Sequence, residues 1–255
     1  MTGFAHYPSL KDKAVFITGG ASGIGESMVE HFSAQGARVK FIDIDATSGE
    51  ALVARLSTPG FTPPQFEPCD VRDIAALQAA IHAFEASQGG IDVLINNAAS
   101  DDRHSIAEVD VAYWDNRMNV NLRHQFFAAQ AVRAGMAKRG GGSIVNLGSI
   151  VVQMGDPNSV AYVAAKGAIH AMTRSLARDF GRDLIRVNCL MPGWVMTKRQ
   201  ITLWLDAAGA KRIAEHQCLP EKLVPADVAR MALFLAADDS AHCTSQNFVV
   251  DGGWI

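Results

Sequence analysis

Seven short apolar runs recur along the chain, each separated from the next by residues of helical or turn character. They are AVFITG (14–19), ARVKFIDID (37–45), PQFEPCDV (64–71), IDVLINNA (91–98), GSIVNLGS (142–149), IRVNCLMPG (185–193) and QNFVVDGG (246–253). Strands that are apolar on both faces need cover on both, and the helical stretches between them can supply it. Those helices are expected at GESMVEHFSAQG (25–36), closed by Gly36, and at TSGEALVARL (47–56), where Thr47 and Glu50 read as a capping box. Others are expected at DIAALQAAIHAFEAS (73–87), capped by Asp73, over about 110–138 and 159–180, and at PADVARMALFLAA (225–237) with Pro at its start. Residues 197–217 are less regular and partly helical. The alternation predicts one doubly wound α/β domain over 1–255, with a parallel sheet of about seven strands and helices on both faces. The chain has no internal repeat, and the Pro-rich TPGFTPPQ (58–65) is short enough to be a connection.

Apolar residues make up 49% and charged residues 19% of 255 residues, which suits one sizeable core and argues against extended disorder. A net charge of −3 with both signs interspersed leaves no electrostatic footprint for nucleic acid or an anionic membrane. Cys69, Cys189, Cys218 and Cys243 lie far apart, so free buried thiols in a reducing compartment are expected rather than disulfides or a zinc site. The stretch MTGFAHYPSLKDK has no apolar signal core, and no apolar run approaches a membrane span; a cytoplasmic protein is the expectation. A hydrolase or metal site is disfavoured by the absence of a G-x-S-x-G elbow and of any His-x-x-x-His pair.

TGGASGIG (18–25) lies between the first strand and the first helix. Gly19, Gly23 and Gly25 permit a tight turn and close backbone approach, and the helix N-terminus beyond them offers N–H groups to a pyrophosphate. The spacing is G-x-x-x-G-x-G, not the general G-x-G-x-x-G. Asp43 ends the second strand, where an acid bonds the ribose hydroxyls of NAD and repels the 2′-phosphate of NADP. A solvated strand-end Asp reads the same way, and Asp45 competes for the role.

YVAAK puts Tyr162 and Lys166 four apart, on one face of a helix. A fixed ammonium favours the phenolate, so this pair would turn a poor base into a usable one. Ser149, thirteen residues before Tyr162, ends a strand at the edge where open parallel sheets bind ligands; it would bond a reacting oxygen or merely cap a turn.

With these motifs, and with CDV (69–71), NNA (96–98), MNVNL (118–122), GS (148–149) and PGWVMT (192–197), the chain resembles the short-chain dehydrogenase/reductase family along nearly its whole length. The resemblance implies a Rossmann-like fold with a nucleotide-binding part over 12–150, a substrate lid over 194–217 and a homotetramer. It implies that Tyr162 is the general acid/base, Lys166 lowers its pKa and holds the nicotinamide ribose, and Ser149 orients the substrate oxygen. Asn121, rather than Asn119 of the same NVN, would hold the water of a proton relay. Cofactor contacts would come from Gly19, Ser22, Gly23, Ile24, Gly25, Asp43, Asp70, Val71, Asn97, Ala98, Val195 and Thr197. Ala99 departs from the usual N-N-A-G and would narrow the space beside the cofactor.

YPSL (7–10), DDRH (101–104), AYWD (112–115), NVNLRH (119–124) and TKRQ (197–200) resemble the sugar-oxidising branch of that family. That implies NAD-dependent oxidation of the anomeric carbon of a pentose, galactose or deoxyhexose to its lactone. The alternatives are a ketone or oxoacyl reductase of the same family and a nucleotide-binding regulator without catalysis. In the polar cluster after the fourth strand, Asp102 or His104 would face the sugar, against the reading of an ordinary solvated loop. Trp194 would cover the substrate or pack on its own core, as would Trp204 and Met196.

Overall fold

The computed structural model describes residues 4–255; residues 1–3, the start of the N-terminal stretch read above, lie outside the described residues. Each of the seven apolar runs contains a strand: β1 Ala14–Thr18, β2 Arg38–Asp43, β3 Gln65–Pro68, β4 Val93–Asn96, β5 Gly142–Leu147, β6 Ile185–Pro192 and β7 Asn247–Val250. All pair in parallel in one sheet of order β3-β2-β1-β4-β5-β6-β7. The winding reverses between β1 and β4, and Thr18 stands level with Ile42 on one side and Asn96 on the other. A crevice therefore opens beyond the carboxyl ends of these strands, at the switch point where such sheets take ligands.

The helices are α1 Gly23–Ala34, α2 Ala46–Leu56, α3 Ile74–Gln88, α4 Val111–Met118, α5 His124–Lys138, α6 Val151–Met154, α7 Val160–Phe180, α8 Lys198–Leu203, α9 Ala207–His216 and α10 Pro225–Ala236. Strand alternation splits the core in two. Val15 and Ile17 of β1 pack with Met28, Phe32 and Val228 of α1 and α10. Phe16 points the other way, toward Leu77, Ile81 and Phe84 of α3, Val132 of α5 and Leu176 of α7. Among the described residues no helix is long and apolar enough to cross a membrane.

Several local expectations need correction. The pattern over 110–138 is not one regular helix: Asn119–Arg123 form a π-type turn between α4 and α5. Its helical periodicity runs on across the turn, so sequence spacing does not reveal it. Asp45, not Thr47, caps α2, accepting a hydrogen bond from the Ser48 N–H at 3.0 Å; a carboxylate at a helix start also gains from the dipole. Asp73 caps α3 through the Ala76 N–H, as expected. The cysteines are all free, but only Cys69 and Cys189 are buried, whereas Cys218 is exposed in the segment after α9.

Candidate active site

The crevice is a cleft of about 910 Å³ running from the glycine loop past the ends of β4 and β5 to α8 and α9. Gly19 and Gly23 have φ of +68° and +58°. A methyl on Gly19 would come within 2.7 Å of the Ala98 backbone, and one on Gly25 would collide with the Gly19 carbonyl. Close packing of loop, helix and β4 thus requires glycine, and it leaves the first turn of α1 facing the cleft, where N–H groups have no intrahelical acceptor. A helix start of this kind suits an anion.

The residues expected around a dinucleotide converge there. Gly19, Ser22, Gly23, Ile24, Gly25, Asp43, Asp70, Val71, Asn97, Ala98, Val195 and Thr197 all line the cleft. Asp43 accepts hydrogen bonds from the N–H groups of Ala21 and Asp45, which fix its carboxylate at the cleft mouth with acceptor capacity remaining. The rival Asp45 also lies at the mouth, but its carboxylate is taken up by both the N–H and the hydroxyl of Ser48. Asn97 donates to the Thr18 and Gly19 carbonyls and so ties β4 to the glycine loop. The carboxylate of Asp70 is gripped by Arg72 at 2.6 Å, and that hydrogen bond holds its carboxyl below the usual range. Ala99 is exposed and outside the left-handed backbone region, so the methyl there strains nothing.

Ser149, Tyr162 and Lys166 line the middle of the same cleft. The Lys166 ammonium sits 5.4 Å from the centre of the Tyr162 ring. It is buried, donates one proton to the Leu147 carbonyl at 2.6 Å, and burial pushes its pKa down to about 8. Burial also pushes the Tyr162 phenol up; the negative charge of Asp101 adds to this, and a hydrogen bond with Ser149 opposes it. The depression of the Tyr162 pKa expected from Lys166 is therefore not seen in the protein alone: burial is the largest cause, and the bond to Ser149, not the ammonium, is what opposes it. Asn121 is fully buried in the π turn, whereas Asn119 is half-buried. Its amide accepts from the Ser100 N–H at 2.8 Å and donates to the Arg117 carbonyl at 3.0 Å. His124 follows the turn, bonded to the Ala98 carbonyl at 3.0 Å; burial, with the Lys166 charge, pushes its pKa down to about 3, so its ring is neutral.

The DDRH loop is bonded to α4 and α8 rather than free in solvent. Among the described residues no group of three metal-ligating side chains is placed to hold an ion. Asp101 and Arg103 line the cleft, but Asp102 and His104, expected at the sugar, do not. Asp102 is shared between Arg117 and Arg199 at 2.6 Å each, and His104 bonds the Tyr113 hydroxyl at 3.0 Å. Both side chains are committed to neighbours, Asp102 reaching α8 and His104 reaching α4. Trp194 reaches the cleft beside Trp254, while Trp204 is stacked under the Arg103 guanidinium. Sequence reasoning also missed Asp156 and Arg212, an ion pair at 2.9 Å across the far end of the cleft, and Trp254. Arg199 stood in the TKRQ stretch without a role; the others carried no local signal.

The sequence profile of a family described as enoyl-(acyl carrier protein) reductase matches residues 19–255. The chain is 48% identical over 250 residues to D-xylose 1-dehydrogenase of Caulobacter vibrioides, covering 98% of both chains. It is 45% identical to a probable galactose dehydrogenase of Rhizobium meliloti, covering 98% of this chain and 97% of that one. A short-chain type dehydrogenase/reductase from Mycobacterium ulcerans has the same fold, with a TM-score of 0.91 at 27% identity, covering 96% of this chain and 90% of the other.

Proposed function

Because the chain belongs to the short-chain dehydrogenase/reductase family, we propose that it is an NAD-dependent sugar dehydrogenase that oxidises the anomeric carbon of an aldose to the aldonolactone. The observation that carries this reading is that one cleft joins the glycine cradle to Ser149, Tyr162 and Lys166. The sugar class is drawn from the two relatives named as D-xylose and galactose dehydrogenases.

The cradle fits a dinucleotide. The first turn of α1 would take the pyrophosphate, Asp43 the adenosine ribose hydroxyls, Lys166 the other ribose, and Val195 and Thr197 the carboxamide end. When bound, NAD supplies the acceptor for the hydride that leaves C1. Tyr162, as phenolate, takes the proton of the anomeric hydroxyl, and Ser149 donates a hydrogen bond to the same oxygen. Lys166, with two of its three protons beyond the Leu147 bond, supports the phenolate electrostatically. Asn121 would hold the water of the proton relay from the π turn, a geometry common at functional sites. The sugar hydroxyls would meet the polar far wall of Asp156, Arg212 and Trp194, and the lid of α8 and α9 would exclude water.

Initial rates with D-xylose, L-arabinose, D-galactose and L-fucose, each with NAD and with NADP, test this reading. Turnover of at least one aldose, with kcat/KM higher for NAD than for NADP, is expected. Inactivity on every aldose, with ketone reduction driven by NADPH, would place the protein among the family's reductases instead. Binding of nucleotide without any turnover would favour the regulator.

A further inference from the structure

Lid helix α8 reaches across the cleft to the loop after β4 through two side chains. Arg199 donates from Nε to Asp101 at 2.9 Å and from its terminal nitrogen to Asp102 at 2.6 Å, and Gln200 donates to the other oxygen of Asp101. Asp102 is held in turn by Arg117 at 2.6 Å; Arg117 bonds the Ser100 hydroxyl, and the Ser100 N–H bonds Asn121. Two carboxylates and two guanidiniums thus form a neutral cluster between the lid and the catalytic centre. Without Arg199 it would carry a net negative charge, centred on the carboxylate that lines the cleft with Tyr162.

We propose that Arg199 is a positioning residue: it clamps Asp101 at the cleft wall and offsets part of that carboxylate's charge where the Tyr162 phenolate forms. The proposal rests on Tyr162 being the general base. Asp101 is the anion that acts on both Tyr162 and Lys166. The other groups around Tyr162 are few. Lys166 is its neighbour on α7, and the Ser149 hydroxyl comes from the end of β5. Near Lys166, burial is the chief cause that holds His124 on α5 neutral, lowers the pKa of His170 on α7 and pushes the Cys189 thiol on β6 up to about 12. Asp156 and Arg212 pair with each other, and Arg103 is turned onto Trp204. Of these only Lys166 also feels Asp101, and Arg199 is the cation bonded to that carboxylate directly.

The test is the pH profile of kcat for oxidation at saturating NAD, in wild type, Arg199→Met, Arg199→Lys, Asp101→Asn and the Arg199→Met/Asp101→Asn double variant. Arg199→Met should move the midpoint upward by roughly 0.5–1 pH unit, since one charge loses its partner in a partly solvated cleft. Arg199→Lys should restore most of the shift, and Asp101→Asn should move the midpoint down. Asp101→Asn leaves the cluster with a net positive charge, so adding Arg199→Met should bring the midpoint back up toward the wild-type value. A purely structural role predicts lower activity or melting temperature with an unmoved midpoint, and that outcome overturns the proposal. If Arg199→Met does not fold, the Asp101→Asn midpoint alone decides: a downward move supports the proposal and an unmoved midpoint overturns it. The phenolate absorbance of each protein minus that of its Tyr162→Phe counterpart, with NAD bound, reads the same shift without turnover. Failure of the sugar reading on the aldose panel therefore leaves this result intact.

Discussion

Tyr162→Phe is expected to lose roughly 10²–10⁴-fold in kcat while binding NAD nearly as tightly as wild type. The substitution removes only the hydroxyl proposed to carry the proton and keeps the ring over which Lys166 is seated. Wild-type oxidation should rise with pH, because burial and Asp101 hold the phenol protonated and the phenolate fraction grows as protons are withdrawn. The reverse reduction, which needs the phenol, should fall over the same range. The variant should lose this dependence along with its rate. Stopped-flow kinetics and NAD titration check both statements; a variant with near-normal kcat would remove Tyr162 from its assigned role.

The second large effect separates activity from stability. Lys166→Met should abolish measurable turnover, weaken NAD binding and nonetheless raise the melting temperature at neutral pH. A lysine held near 8 instead of its ordinary 10.5 opposes folding by about 3 kcal/mol wherever both states are charged. The opposition is complete below about pH 8 and is relieved as pH rises toward the unfolded value, because the native lysine releases its proton first. Methionine fills similar volume without charge but strands the Leu147 carbonyl, at a penalty of about 1–2 kcal/mol. A net gain of roughly 2–8 °C follows for a chain of this size. Thermal melts near neutrality and near pH 10 decide it: the gain should shrink at the higher pH, and a melting temperature below wild type at neutrality contradicts the account. Such a trade is expected where function holds a buried charge in place.

What could be read from the sequence was what short range encodes. The seven strands were legible because a strand covered on both faces is an unbroken apolar run, and Ser149, Tyr162 and Lys166 because each has its own local pattern. The π turn was hidden by a helical periodicity that continues through it, and the α2 cap shifted because Asp45 and Thr47 both suit that position. The deeper failure was in DDRH. The partners of Asp101 and Asp102 on α8 lie nearly a hundred residues away, and Asp156, Arg212 and Trp254 come from three further segments. Convergence of separate loops on one cleft is a property of the fold and leaves no trace in local spacing.

The central claim concerns which carbon is oxidised, and an isotopic label addresses it. An aldose that is turned over should be supplied with deuterium at C1, and the reduced cofactor and sugar product then isolated. The account predicts deuterium in the nicotinamide ring and a lactone product without label. Formation of unlabelled NADH, with deuterium retained at C1 of the sugar, would show oxidation of another hydroxyl and contradict it.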